Sequence, residues 1–241
     1  MVYFNKHNAY GSFLKAKNGL KSIFFPNLCE ICSDELTANQ KHICHYCLSH
    51  LNYTLFEAYS LDTPVHEVFY GRVQLTFAYS LVYFKKNSPI QDLLHKIKYN
   101  HGHELAIKMG EIIAQKLEKN QQFPSVDALV PIPLHRKKEA IRGYNQSLKI
   151  AEGISAISNK PILHLISRTK HHESQTKKDR FGRWENVEHI FKMEDNDNVP
   201  KHVALIDDVI TTGATLEAAA RVILQKHPAI KISIITIAFA R

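Results

Sequence analysis

The period of the hydrophobic pattern changes several times along the chain, and each change marks an element. Val73 to Phe84, VQLTFAYSLVYF, is aromatic and β-branched with partial alternation, which predicts a pair of strands or one bent strand. Ile90, Leu93, Leu94 and Ile97 then recur at helical spacing behind Ser88-Pro89, a capping hydroxyl with proline in the first turn. The pattern breaks at Gly102, and a second helix runs from Glu104 to Lys119 with Leu105, Met109, Ile112 and Ile113 inward. Asp127 to Pro133 reads as a short buried strand whose two prolines force an extended exit. A helix from about Asn145 to Ala156, Pro161 and the strand-like run Ile162 to Ile166 follow. Val203 to Ile206 is dense enough for a strand buried on both faces, the run from Leu216 is helical, and Lys231 to Ala240 is a final strand. Such alternation predicts an α/β fold around an open, mainly parallel sheet flanked by helices.

The stretch VALIDDVITTGAT, Val203 to Thr215, adds chemistry to that pattern. Asp207 and Asp208 follow the apolar run, and neighbouring carboxylates at a strand end suit the two adjacent hydroxyls of a ribose. Thr211, Thr212, Gly213, Ala214 and Thr215 then lead into the helix. The glycine lets backbone approach a ligand, and the helix start offers outward amides with partial positive charge, where a phosphate fits. A ribose 5-phosphate matches the stretch from end to end. An acidic pair also occurs in Walker B sites, but GxxxxGK[ST] is absent. A receiver domain would need most of its length downstream, and here the chain ends soon after Thr215.

All four cysteines lie early, as C-x2-C-x11-C-x2-C at Cys29, Cys32, Cys44 and Cys47. Two CxxC pairs bring four thiolates to one tetrahedral ion, which predicts a closed, structural zinc site. His42 and His45 stand close but are not needed. This assigns residues 1–64 to a zinc-bearing N-terminal module and 65–241 to the α/β domain, with Leu51 to Pro64 a helix or linker.

A net charge of +8 and an isoelectric point near 9.2 suit polyanionic company, either phosphorylated small molecules or nucleic acid. No signal-peptide core interrupts the lysines of the first 25 residues, and no apolar run reaches the roughly 18 residues of a membrane helix, so the expectation is a cytoplasmic protein without membrane insertion. Basic residues gather where the Pro131–Pro133 exit leads on through Leu134, His135, Arg136, Lys137 and Lys138 to Arg142, Asn145 and Gln146. At the carboxyl end of a parallel strand they would face the same crevice as the acidic pair. Lys98, at a helix end, is by residue chemistry either solvated or a ligand contact. Ser167 to Val187 is long, polar and basic, a lid over a polyanion or a surface excursion, with Arg168, Lys170, Arg180 and Arg183 its candidates.

These blocks carry a resemblance. LIDDVITTGAT resembles the phosphoribosyl-pyrophosphate loop of type I phosphoribosyltransferases. Together with the cysteine head, IKYNHGHELA, VPIPLHRKKEAIRGYNQS, SRTKHHESQTKKDRFGRWENV and the terminal AFAR, it resembles the ComF family from Cys29 to Arg241, with Tyr144 where phenylalanine is frequent. The resemblance implies a zinc-ribbon-like head on a type I phosphoribosyltransferase fold. It also implies a magnesium-dependent phosphoribosyl-pyrophosphate site and adds Lys98, Arg142, Asn145 and Gln146 to its ligand contacts; on that reading Asp207, Asp208 and, from the basic lid, Arg168 act in catalysis, while the Leu134-His135-Arg136 turn and Arg180 help hold the ligand. Single-stranded DNA entering during natural transformation, and a helicase-like competence protein, are the implied partners. The acceptor is not implied, so an enzyme and a single-strand-binding module that keeps the pocket both stand.

Overall fold

The computed structural model describes residues 27–58, 63–99, 102–168, 190–195 and 199–240. It divides into two compact units, residues 1–51 and 52–241, a division ahead of the boundary expected at residue 64. The reason is local. Tyr53 bridges Val82, and Thr54 Oγ1 donates to the Ser80 carbonyl at 2.5 Å, so this segment belongs to the sheet.

The smaller unit carries the short helix α1 (His45–Ser49), and Cys44 is its N-cap, with Cys47 N donating to Cys44 Sγ at 3.3 Å. The first α-helix of the larger unit is α2 (Pro64–Glu67), after a 3-10 turn at Phe56–Ala58; the sequence reading did not resolve either from linker. Strand β1 (Ala78–Phe84) is a single strand. Helices α3 (Pro89–Tyr99) and α4 (His103–Leu117) bury the apolar faces that periodicity picked out. Ser88 does not cap α3 as expected: its hydroxyl donates to the Lys85 carbonyl at 2.5 Å. Strand β2 (Ala128–Pro131) leads to α5 (Arg136–Arg142) and α6 (Gln146–Ser158). The strand expected at 162–166 is split: Ile162 makes one parallel bridge to Leu129, and β3 (Ile166–Arg168) pairs antiparallel with β4 (Phe191–Met193). Strand β5 (His202–Ile210), helix α7 (Ala214–Lys226) and strand β6 (Lys231–Ala240) complete the fold.

The main sheet is parallel, in the order β1-β6-β5-β2. Its centre is dry: Val203, Ala204, Leu205 and Ile206 of β5 and Ile234, Ile235 and Ile237 of β6 have no exposed surface. Each isoleucine or leucine so buried contributes about 1.5–3 kcal/mol. Helices α4 and α6 cross closely because Gly110 meets Ile150 and Gly153 meets Ile107. A Cβ on either glycine would lie 2.2 Å or 2.0 Å from a backbone oxygen of the other helix.

The connections place the site. From β1 through β2 to Ile162 the chain steps outward across the sheet, and from β5 to β6 it steps back. Right-handed crossovers put the helices of the outward run on one face and α7 on the other. The carboxyl ends of β2 and β5, side by side, therefore send their chains to opposite faces and open a crevice between them.

Candidate functional site

Asp207 and Asp208 sit at this crevice, and β5 runs past them: Asp207 pairs with Thr236 and Val209 with Ala238. The acidic pair is thus held by the sheet instead of following it. Asp207 Oδ1 accepts the Ser147 hydroxyl at 2.9 Å and the Asp208 amide at 2.9 Å. Burial, and then the neighbouring Asp208 charge, push the Asp207 carboxyl up to about 7 against the pull of that amide, Ser147 and Lys98. Asp208 is 4% exposed. Lys98 Nζ stands 3.0 Å from its Oδ2, off the line a hydrogen bond requires, so the contact is one of charge and that oxygen has no hydrogen-bond partner among the described residues.

Arg168, at the end of β3, lies 5.7 Å from the Phe191 ring centre. Burial lowers its guanidinium pKa and the charge of Asp207 opposes the shift, which places the two within electrostatic reach. Lys170, Arg180 and Arg183 lie outside the described residues, as does the stretch 169–189; its two flanks are tied by the pairing of Arg168 with Phe191.

The loop after β5 turns at Gly213, whose φ of 73° places it in the left-handed region. A Cβ there would also come within 2.8 Å of Val68 Cγ1 and 2.9 Å of Phe69 Cζ, so glycine is required twice over. Thr211, Thr212 and Thr215 are exposed. The first amides of α7 lack intrahelical acceptors, and the N-cap glycine offers no side chain; among the described residues Thr212 Oγ1 reaches the Ala214 amide, at 3.5 Å. An exposed turn with free amides and hydroxyls is suited to an anion.

Sequence reasoning missed what fastens this turn. The Arg72 guanidinium donates through Nη1 to the Thr212 carbonyl at 2.9 Å and the Val68 carbonyl at 2.7 Å. Its Nε reaches Glu217 Oε2 at 2.7 Å, and Nη2 pairs with the same oxygen. Glu217 in turn holds Arg221 at 2.9 Å. No local signal links residues so far apart in the chain. Ser147 was also missed, although its place in the first turn of a capped helix is visible in the sequence.

Beyond β2, Leu134 is half-buried and His135 caps α5, its Nδ1 accepting from the Lys137 amide at 3.2 Å. Helix α5, which begins at Arg136, buries none of its residues. Arg142 lies over the Tyr99 ring at 5.4 Å. Asn145 caps α6, its side chain accepting from the Ser147 amide and donating to the Ile132 carbonyl, each at 3.0 Å. Gln146 is 5% exposed, and its Oε1 has no partner among the described residues. The fold therefore collects Asp207, Asp208, Lys98, Ser147, Asn145 and Arg168, with the 211–215 turn next along the chain. Cavities of about 490 Å³ and 520 Å³ elsewhere in this unit are lined by neither carboxylate nor by the turn.

In the smaller unit the Sγ atoms of Cys29, Cys32, Cys44 and Cys47 all lie within 4.8 Å of one another, and Cys32 and Cys44 are 3.7 Å apart. Tetrahedral coordination with metal–sulfur bonds of about 2.3 Å needs sulfurs about 3.8 Å apart, so the set could hold a metal ion. Amides of Ile31 and Cys44 donate to Cys29 Sγ at 3.5 Å and 3.3 Å. Burial raises the Cys29 thiol, but amide donors outweigh it and bring the pKa down to about 6, while burial and the other sulfurs drive Cys47 up. His42 and His45 are not part of the set.

Fold and site together define a parallel α/β protein with an acidic, helix-capped crevice and a separate four-thiol unit. No family model matches the chain. It is 30% identical over 223 residues to competence protein ComFC of Bacillus subtilis, covering 87% of this chain and 83% of that one, and so belongs to the ComF family. It is 26% identical over 141 residues to competence protein F of Haemophilus influenzae (56% of this chain, 62% of that one). A third relative is the DNA utilization protein YhgH of Salmonella typhi, 26% identical over 153 residues (58% and 63%). Among the described residues no helix is long and apolar enough to cross a membrane.

Proposed function

We propose that this chain is a type I phosphoribosyltransferase-like protein that binds phosphoribosyl pyrophosphate with magnesium and serves in the uptake and use of DNA. The observation that carries the reading is the pairing of Asp207 and Asp208 with the glycine turn at the start of α7, in the crevice where β2 and β5 diverge. In this reading the 5-phosphate sits at Thr211–Thr215 and the ribose hydroxyls meet the carboxylates. Magnesium, where bound, would be held with the ligand beside the Asp207 and Asp208 carboxylates and would supply positive charge to the leaving group. Lys98 and Arg168 supply the protein's own positive charge there. The four thiolates hold a structural zinc. The relatives' names, competence and DNA utilization, support a DNA-handling role; in this reading the protein works in the cytoplasm alongside a helicase-like protein.

A second reading, single-strand binding without transfer, is favoured by the +8 charge and by the basic helix α5, none of whose residues is buried. Calorimetry with phosphoribosyl pyrophosphate and magnesium tests the first. Binding should be present in the wild type and lost in the Asp207→Ala/Asp208→Ala double variant, and undiminished binding by that variant would sink the assignment. Pyrophosphate release then separates transfer from binding alone, and steep loss of single-strand affinity with salt marks the second.

A further inference from the structure

Between α5 and α6 stands Tyr144, half-buried, its ring meeting that of His103 at the start of α4 edge-on at 6.0 Å. Its hydroxyl donates to the Ile97 carbonyl. Ile97 lies in the last turn of α3, where carbonyls lack a donor within the helix, so the hydroxyl meets a need that the helix leaves open. Burial raises the phenol to about 12 against the opposing charge of Arg142, which keeps the proton on the donor. The next residue along α3 is Lys98, whose ammonium stands 3.0 Å from Asp208 Oδ2.

We propose that Tyr144 is a positioning residue for the crevice: its hydroxyl, by holding the Ile97 carbonyl, fixes the last turn of α3 and so sets the Lys98 ammonium against Asp208. The inference rests on the sugar-phosphate reading, in which Lys98 supplies charge to the ligand. A lysine head on a flexible four-carbon stem has little geometry of its own, and this one makes a contact of charge without a hydrogen bond. Its place is therefore decided by where the backbone carries it. The other tie on that turn is weaker, because Arg142 lies at 5.4 Å over a Tyr99 ring that is itself exposed. On its other side Tyr144 adjoins Asn145, which caps α6 through the Ser147 amide, and the Ser147 hydroxyl reaches Asp207. Four consecutive residues, Tyr144 to Ser147, thus fasten the cation through α3 and the acid directly, so that one segment sets the spacing of both.

Tyr144→Phe keeps the ring and removes only the oxygen; with Lys98→Ala and the double variant it completes a cycle. Calorimetry with phosphoribosyl pyrophosphate and magnesium should find Tyr144→Phe weaker than wild type by about five-fold, with no further loss when the same change is made in Lys98→Ala. NMR of the ligand-free protein labelled at the lysine ε-carbons should show the Lys98 signal moving toward that of a solvated lysine in Tyr144→Phe. A hydroxyl that served the fold alone would lower Tm and leave the Lys98 signal and the affinity where they were; that result overturns the proposal, as do losses that simply add in the double variant. If the wild type does not bind phosphoribosyl pyrophosphate while the Lys98 signal still moves, the positioning role stands and the sugar-phosphate reading falls. A Tyr144→Phe chain that fails to fold would mark the hydroxyl as a determinant of the whole fold and would overturn the assignment too.

Discussion

Arg72→Ala removes the strut behind the glycine turn. One guanidinium serves Glu217 and the carbonyls of Val68 and Thr212. A hydrogen bond to a charged group is worth about 1.5–3 kcal/mol, but these share one side chain that is 32% exposed, and Arg221 stays with Glu217 after the truncation. The net loss should be about 2 kcal/mol, or a Tm lower by about 4–8 °C for a chain of this size. The turn suffers more than the fold, because Thr212 loses the donor that fixes its carbonyl. Ribose 5-phosphate affinity should fall roughly ten-fold. Arg72→Lys keeps the charge but cannot fork to both carbonyls, so it should recover stability more than affinity. Thermal melts and calorimetry on the three proteins suffice. A lower Tm with affinity within about two-fold of wild type would refute the positioning role.

Gly213→Ala meets Val68 and Phe69 and must adopt a left-handed φ, so it should cost about 1–3 kcal/mol in urea titration; a neutral substitution would refute the geometry of the turn. The Asp207 carboxyl is raised in the folded state, so its contribution to stability is present at low pH and is lost as pH rises from its unfolded value toward about 7. Asp207→Asn should therefore be the more stable protein at pH 8, by on the order of 2 kcal/mol, and an unchanged pH profile would contradict it. Because ribose hydroxyls need the ionised carboxylate, binding of ribose 5-phosphate should strengthen through about pH 7 in the wild type and not in that variant. Elemental analysis should find one zinc per chain, and a chelator should free four thiols for titration; metal-free protein with freely reactive thiols would remove the zinc assignment.

What was legible follows a physical rule. The runs on α3, α4 and β6 and the apolar half of β5 were read correctly because burial imposes a period that sequence displays, whereas β5 continues through the acidic pair to Ile210. The 162–166 run misled because Ile162 bridges in parallel while Ile166 pairs antiparallel, and an apolar string does not reveal where its partners change. Strand β4 and helix α2 are too short to carry a period. The acidic pair and its turn were visible as local chemistry. The Arg72 strut and the tie from Tyr144 to α3 were not, since each depends on segments that only the fold brings together.

The topology explains why parts so far apart in the chain meet. The outward run leaves the first turn of α6, with Ser147 and Asn145, at the carboxyl end of β2, and the returning strand β5 must then lie beside β2 to fill the sheet. That neighbour relation sets Asp207 under the Ser147 hydroxyl, while α3 ends with Lys98 at Asp208. Two adjacent carboxylates would otherwise repel in a nearly dry crevice. Here one shares a hydroxyl and a backbone amide and the other meets an ammonium, so the pair is retained without being neutralised by a direct ion-pair hydrogen bond. A site that merely stabilised the fold would replace such a pair with apolar side chains at little cost. Its presence just ahead of an exposed helix-start turn is what a ligand rich in both hydroxyl and phosphate oxygens would exploit.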